Sequence, residues 1–263
     1  MTAPVFRRYL FVGGLHRTGT SLIAKLLASH PEIDAITDAP VPENEGAYLQ
    51  GAIPHTARHG IPGHFATDPE QHLVEQSRFD TLEVRRRIEH DWNPWFSGGG
   101  SWRIEKSPVN LTRMRLYQQL FPLSQFVVVL RHPEAMAAAL AKWTDNPAPA
   151  LIDYALAAYD LACRDLDYLH AAMVVRYEDL VADPEGCVGS VARFCGLDPV
   201  EVDSPVYDGN RDYAGAVEMT RAQAARAAAY GYAPGLQVTP VAPRVQHPLR
   251  SLREAALRHF DIC

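Results

Sequence analysis

The stretch Tyr9-Leu-Phe-Val-Gly-Gly-Leu-His-Arg-Thr-Gly-Thr-Ser-Leu22 decides the fold. Tyr9–Val12 is an apolar run of strand length, and Gly13-Gly14 turns it into a tight loop. From Thr20 onward, Leu22, Ile23, Leu26 and Leu27 recur at helical spacing until His30-Pro31 stops the pattern. Between strand and helix, Gly14-Leu-His-Arg-Thr-Gly19-Thr-Ser21 has the spacing of the phosphate loop G-x-x-x-x-G-K-[ST], with Thr20 in the lysine position. Glycines let such a loop curl, so that successive N–H groups and the positive end of the helix face an anion. Thr18, Thr20 and Ser21 add hydroxyl donors, and Arg17 stands in for the absent lysine. The expected ligand is phosphate-like but need not be a nucleoside triphosphate.

Working outward, Ile33–Ile36 reads as a second strand, and residues 38–72 as a long irregular segment rich in Pro, Gly and His. Helical patterns cover residues 77–92, Leu111–Phe121, Glu134–Trp143, Leu151–His170, Glu185–Phe194 and 217–230. Trp102–Glu105, Phe126–Leu130 and Met173–Arg176 read as strands, and a proline-broken tail leads to a last short helix. Alternating strands and helices predict an α/β fold, a single P-loop-like domain over residues 1–263 with a central, mainly parallel sheet flanked by helices.

The 263 residues hold 25 Lys+Arg against 31 Asp+Glu, a net charge of −6, which argues against non-specific nucleic-acid binding and a polybasic membrane patch. An anionic ligand must therefore be held by a few placed cations. The cysteines (Cys163, Cys187, Cys195 and Cys263) form no CxxC pair and no zinc spacing with His, so reduced thiols are expected. No apolar run approaches the roughly 18 residues of a membrane span, and Arg7 and Arg8 are not followed by a signal-type segment, so a cytoplasmic location is expected. His55 and His59 sit between Pro54 and Pro62 with no third ligand in view, which makes them loop histidines at the edge of an acceptor cleft rather than a metal pair. The Tyr154, Tyr159 and Leu161 pattern reads as helix core.

Three blocks resemble sulfotransferases that use 3′-phosphoadenosine 5′-phosphosulfate (PAPS), closest to the bacterial and tyrosylprotein branches. Phe11–Leu22 with Ala28-Ser-His-Pro31 resembles their 5′-phosphosulfate loop and its helix. Leu120–Pro133 resembles the strand whose terminal Arg, here Arg131, takes the 3′-phosphate. Val175-Arg-Tyr-Glu-Asp-Leu-Val-Ala-Asp-Pro-Glu185 resembles the signature [RH]-Y-E-x-L-V-x-x-P-E. The resemblance implies transfer of a sulfuryl group from PAPS to a hydroxyl or amine of a small-molecule acceptor, with adenosine 3′,5′-bisphosphate as product and no metal. It places Arg17, Thr18, Gly19, Thr20, Ser21 and Arg131 on the cofactor, with Tyr177 near the adenosine. It adds Asn210, Arg211 and Tyr213 from an N-x-[KR]-Y element.

Loose, in-line transfer needs cations around the leaving group and a base for the acceptor proton. Lys106, at the carboxyl end of a strand, matches the family's catalytic Lys, and Arg17 faces the same group. The base candidates are Glu45, then Glu43, in a block resembling Pro-Glu-x-Glu-Gly…Leu-Gln of a bacterial subgroup, then Asp38, 21 residues beyond Arg17. His16, inside the loop, is a fourth. Ala139 stands where relatives often carry a Ser on the 3′-phosphate, which turns attention to Lys142. The acceptor pocket falls to residues 38–72 and 92–102. Oligomeric state stays open, a homodimer included. Two other readings also stay open: a P-loop kinase or NTPase with an atypical loop, against which Thr20 and Arg131 argue, and a nucleotide-binding module without turnover.

Overall fold

Strand β1 (Arg8–Gly14) lies at the centre of the molecule, and the other elements are arranged about it. In the computed structural model, which describes residues 7–55, 60–202 and 205–260, β1 leads into α1 (Thr20–Leu27), β2 (Ile33–Ala35), the short α2 (Gly46–Leu49) and α3 (Leu82–Trp92). The chain continues through β3 (Trp102–Lys106), α4 (Met114–Leu120), β4 (Gln125–Leu130), α5 (Pro133–Leu140), α6 (Ala148–Leu166) and β5 (Ala172–Arg176). After α7 (Tyr177–Ala182), α8 (Pro184–Phe194) and α9 (Arg221–Ala227) come β6 (Tyr232–Ala233), β7 (Gln237–Val238), β8 (Val245–Gln246) and α10 (Arg250–Leu257). His59 and Cys263 lie outside the described residues.

The sheet order is β2-β3-β1-β4-β5-β8, parallel except for β8, which runs against β5. From β1 the chain builds β2 and β3 on one side, then crosses to β4 and β5 on the other. That reversal opens a crevice at the carboxyl ends of the strands, where open α/β sheets bind ligands. The register sets which residues meet there: Val12 lies opposite Lys106, Gly14 opposite Val129, and Leu130 opposite Arg176.

Period-2 alternation sends neighbouring residues of one strand to opposite faces. Leu10, Val12, Val127 and Val129 pack under Ile23, Leu26 and Leu27 of α1 and Val188, Val191 and Phe194 of α8. On the other face Tyr9 and Phe11 meet Trp92, Tyr117 and Phe121, with ring centroids 4.7 Å apart for Phe11–Tyr117 and 4.8 Å for Tyr9–Phe121. Tyr154 and Tyr159 are buried in the same layer, as the helix-core reading expects.

Element types agree with the sequence reading, while several ends differ for local reasons. Residues 77–80 form a turn, and α3 starts only after Thr81, whose hydroxyl accepts from the Val84 N–H at 3.2 Å. The helix expected over Leu111–Phe121 is split: a 3₁₀ turn spans Pro108–Thr112, Arg113 breaks out at φ −122°, ψ 1°, and α4 follows. The Thr220–Gln223 capping box fixes the start of α9 inside the expected 217–230 span. Strand β8, a two-residue piece of the tail, escapes any periodicity argument. Cys163, Cys187 and Cys195 are free thiols, and burial pushes those of Cys187 and Cys195 well up. Among the described residues, no helix is long and apolar enough to cross a membrane.

Trp92→Ala removes a fully buried ring from the aromatic cluster and leaves a cavity. Stability in urea melts should fall by about 3–5 kcal/mol, and a loss under about 1 kcal/mol would show that the cluster is loosely packed.

Candidate active site

The loop between β1 and α1 is shaped by close approaches that only glycine permits. A Cβ on Gly14 would meet the Thr18 hydroxyl oxygen at 2.5 Å and the Val129 carbonyl at 2.7 Å. Gly19, at φ 97°, begins α1 with no side-chain cap, and a Cβ there would strike the Tyr177 ring at 2.7 Å. The Thr18 hydroxyl donates to the Leu15 carbonyl at 2.8 Å and closes the turn from inside. Thr20 is buried, Ser21 is exposed, and the uncapped first turn of α1 directs its N–H groups outward from the loop. Arg17 sits in the left-handed region at φ 70°, and its exposed guanidinium lies over the Trp143 ring at 5.3 Å.

Arg131 follows β4 directly and is buried. Its Nη1 donates to the Arg17 carbonyl at 2.7 Å, and its Nε donates to Asn210 Oδ1 at 2.8 Å. Its guanidinium carbon lies 4.4 Å from the Tyr177 ring centroid and 5.6 Å from that of Tyr213. Its third nitrogen, Nη2, is buried without a hydrogen-bond partner. Lys142 approaches Tyr213 as well, with Nζ 5.0 Å from the ring centroid and donating to the hydroxyl at 3.4 Å. Arg131 and Lys142 thus share one aromatic ring, beside the buried Ala139. The structure sets Arg211 apart from this group: its guanidinium is exposed and pairs with Asp208 at 3.5 Å, while its neighbour Asn210 makes the contact to Arg131.

The Tyr177 ring packs against both Gly19 and Arg131, and its hydroxyl accepts from the Gly209 N–H at 2.8 Å and donates to the Tyr207 carbonyl at 3.2 Å. Glu178, which the sequence reading passed over, anchors the arrangement. It accepts from the His132 N–H and the Asn210 amide, each at 2.8 Å, and from the Tyr232 hydroxyl at 3.0 Å. The signal was present in the Tyr-Glu dipeptide after β5, but nothing local showed which groups the carboxylate would gather.

Across β1, Lys106 ends β3 and donates to Glu45 Oε1 at 3.1 Å. Both side chains are about nine-tenths buried, 8% and 11% exposed. Burial pushes the Glu45 carboxyl above its usual range, and the Lys106 charge opposes that rise without cancelling it. The other base candidates are placed differently. Glu43, at φ 51°, is exposed and accepts from the Ser21 hydroxyl at 3.4 Å. Asp38, at φ 53°, is also exposed. His16 lies against Phe65 and Trp143, and burial together with the Lys106 charge lowers its pKa to about 4.

A second unforeseen carboxylate holds the Glu45 segment in place. Glu105, fully buried, accepts from the Gly46 N–H at 2.9 Å and from the Ser107 hydroxyl and the Asn110 amide at 2.6 Å each. The Ser107 hydroxyl oxygen accepts from the Ala47 N–H at 3.1 Å, and the Trp92 indole donates to the Gly46 carbonyl at 2.8 Å.

A model of the sulfotransferase family matches residues 10–201, and the chain belongs to that family. It is a sulfuryl-transferring enzyme. No curated protein sequence matches it. Among solved structures, the sulfotransferase domain from the curacin biosynthetic pathway shares 14% identity over 86% of this chain and 98% of its own, at a TM-score of 0.51. A sulfotransferase from Alicyclobacillus acidocaldarius shares 18% identity, covering 78% of this chain and 89% of its own, at 0.46. Sulfotransferase STF9 from Mycobacterium avium shares 16%, covering 80% and 67%, at 0.48.

Gly19→Ala forces both a left-handed backbone and a clash with Tyr177. Chemical denaturation should register a loss of about 1–3 kcal/mol, and an unchanged midpoint would mean that the loop relaxes freely.

Proposed function

We propose that the enzyme takes its sulfuryl group from PAPS and passes it to a hydroxyl or amine of a small-molecule acceptor. The observation that carries this reading is the buried Lys106–Glu45 pair at the crevice, on the opposite side of the phosphate loop from Arg131. The chain's own groups fit the cofactor at both ends. The glycine-shaped loop with Arg17, Thr18, Gly19, Thr20 and Ser21 suits its 5′-phosphosulfate. The unpartnered Arg131 Nη2, with Lys142 near the same Tyr213 ring, suits its 3′-phosphate. Tyr177 and Asn210 position Arg131, and Arg211 stands outside that group. When bound, PAPS supplies a sulfuryl group already attached to a good leaving group.

Glu45 holds the proton of the acceptor hydroxyl. Its raised pKa makes it a stronger base than an ordinary surface carboxylate, whereas His16, lowered to about 4, is a weak one. Glu43 caps Ser21 and Asp38 points to solvent, which ranks both behind Glu45. Lys106 orients the Glu45 carboxylate and offers its remaining N–H groups to negative oxygens in the crevice. Arg17 is the exposed cation, lying over Trp143 at the mouth.

Calorimetry should show adenosine 3′,5′-bisphosphate binding at least about tenfold tighter than ATP without magnesium, because ATP lacks the group that Arg131 would meet. Equal affinities would overturn the donor assignment. Lys106→Ala should lower kcat by about 10²–10³-fold with little change in adenosine 3′,5′-bisphosphate affinity; a normal rate removes Lys106 from the chemistry. The wild-type rate should climb with pH through the raised Glu45 value, since the deprotonated form is active. Glu45→Gln should flatten that limb and cost about 10²–10⁴-fold in rate, and an unaltered pH profile would place the base elsewhere.

A further inference from the structure

A cavity of about 350 Å³ lies between Ile53-Pro54 and the segment Glu70–Phe79, with Arg113 at its wall. Arg113 is 1% exposed. Its Nη2 meets His55 Nδ1 at 3.3 Å, while Nε and Nη1 are buried without hydrogen-bond partners. Among the described residues it makes no ion pair. The Tyr117 hydroxyl nearby, pushed up to about 12 by burial, carries no charge to offset it. A guanidinium withdrawn from water with no anion is costly, and native structures rarely leave one so.

The cavity is built from the two segments that carry the reacting pair. Arg113 follows Lys106 through the 3₁₀ turn Pro108–Thr112. Ile53 and Pro54 follow Glu45 through α2 and the Gln50 turn. The Gln50 side chain stiffens that path: its amide donates to the carbonyls of Ala47 and Ile53 at 3.0 and 2.6 Å, and its oxygen accepts from the N–H groups of Ala52 and Ile53. The Tyr48 N–H donates to the Glu45 carbonyl at 3.1 Å, and the Tyr48 ring stacks edge-on with His55 at 4.5 Å. Tyr48 and His55 thus link the Glu45 segment to Arg113. At the mouth stand exposed Arg78 and Glu70, of opposite charge, while the wall carries Arg113.

We propose that this cavity is the acceptor's second anchor: Arg113 holds an anionic group of the acceptor, such as a carboxylate, while its hydroxyl or amine lies at Glu45. The acceptor class is thus a small molecule with a nucleophilic end and a negatively charged end. This rests on the sulfotransferase reading given above, and its test separates the two. The probes are hydroxyaryl carboxylates of increasing chain length, from 4-hydroxybenzoate to 3-(4-hydroxyphenyl)propanoate, each paired with its neutral primary amide. Binding is measured by calorimetry on enzyme saturated with adenosine 3′,5′-bisphosphate, and turnover with PAPS. For at least one chain length, the wild type should favour the carboxylate over the amide by about tenfold or more in Kd and KM, with the larger difference in KM rather than kcat. Arg113→Gln should collapse that ratio toward unity and Arg113→Lys should keep part of it. Retained adenosine 3′,5′-bisphosphate binding shows that the variants are folded. No carboxylate preference in the wild type at any length, including no binding of any probe, overturns the proposal, as does a preference that survives Arg113→Gln. Failure of the donor reading shows itself separately, as absence of adenosine 3′,5′-bisphosphate binding to the wild type.

Discussion

A carboxyl group shut away from water organises the Lys106 side of the crevice. Glu105 is fully buried, and its desolvation is offset by hydrogen bonds from the Gly46 backbone, Ser107 and Asn110 and by the neighbouring Lys106 charge. Each partner lies on a segment that must be held in place. Gly46 begins the helix after Glu45, and Ser107 and Asn110 belong to the turn between Lys106 and Arg113. One buried carboxyl thus ties together the segments that carry Glu45, Lys106 and Arg113.

The opposite half is organised by Arg131. A chain with a net charge of −6 cannot attract an anion by its overall field, so local placement must do the work. Placement comes from strand register: β1, β3 and β4 run parallel and end within a few residues of one another, which brings the loop, Lys106 and Arg131 to the same end of the sheet from distant parts of the sequence. Aromatic rings accompany the cations. Tyr177 packs against both Gly19 and Arg131, Tyr213 lies near both Arg131 and Lys142, and Trp143 lies under Arg17.

How much of this could be read from the sequence follows from which interactions are local. The loop from Gly14 to Ser21, the strand ending at Arg131 and the position of Lys106 were legible, because glycine spacing and apolar runs encode backbone shape directly. Helix ends were less so: Thr81 and the break at Arg113 depend on capping and on contacts that periodicity does not register. The ordering of Glu45 ahead of Glu43 and Asp38 agrees with their burial, although their roles rest on the proposed mechanism. The buried placement of Glu105 and Arg113 and the contacts of Glu178 were missed, because a charged residue in a sequence looks solvated until the fold removes the water. The choice between Asn210 and Arg211 was invisible for a related reason, since it turns on which way a short turn faces.

The grip of Arg131 on the Arg17 carbonyl and on Asn210 has a thermodynamic consequence. The first loop of the chain and a turn nearly two hundred residues later are clamped by one planar group, so they cannot fluctuate independently. Rigidity conferred at either clamp point is inherited by the other, and the entropy lost on ordering is lost once rather than twice. A ligand that engages Arg131 therefore bears on both segments at once, and by reciprocity any coupling between them acts equally in the two directions.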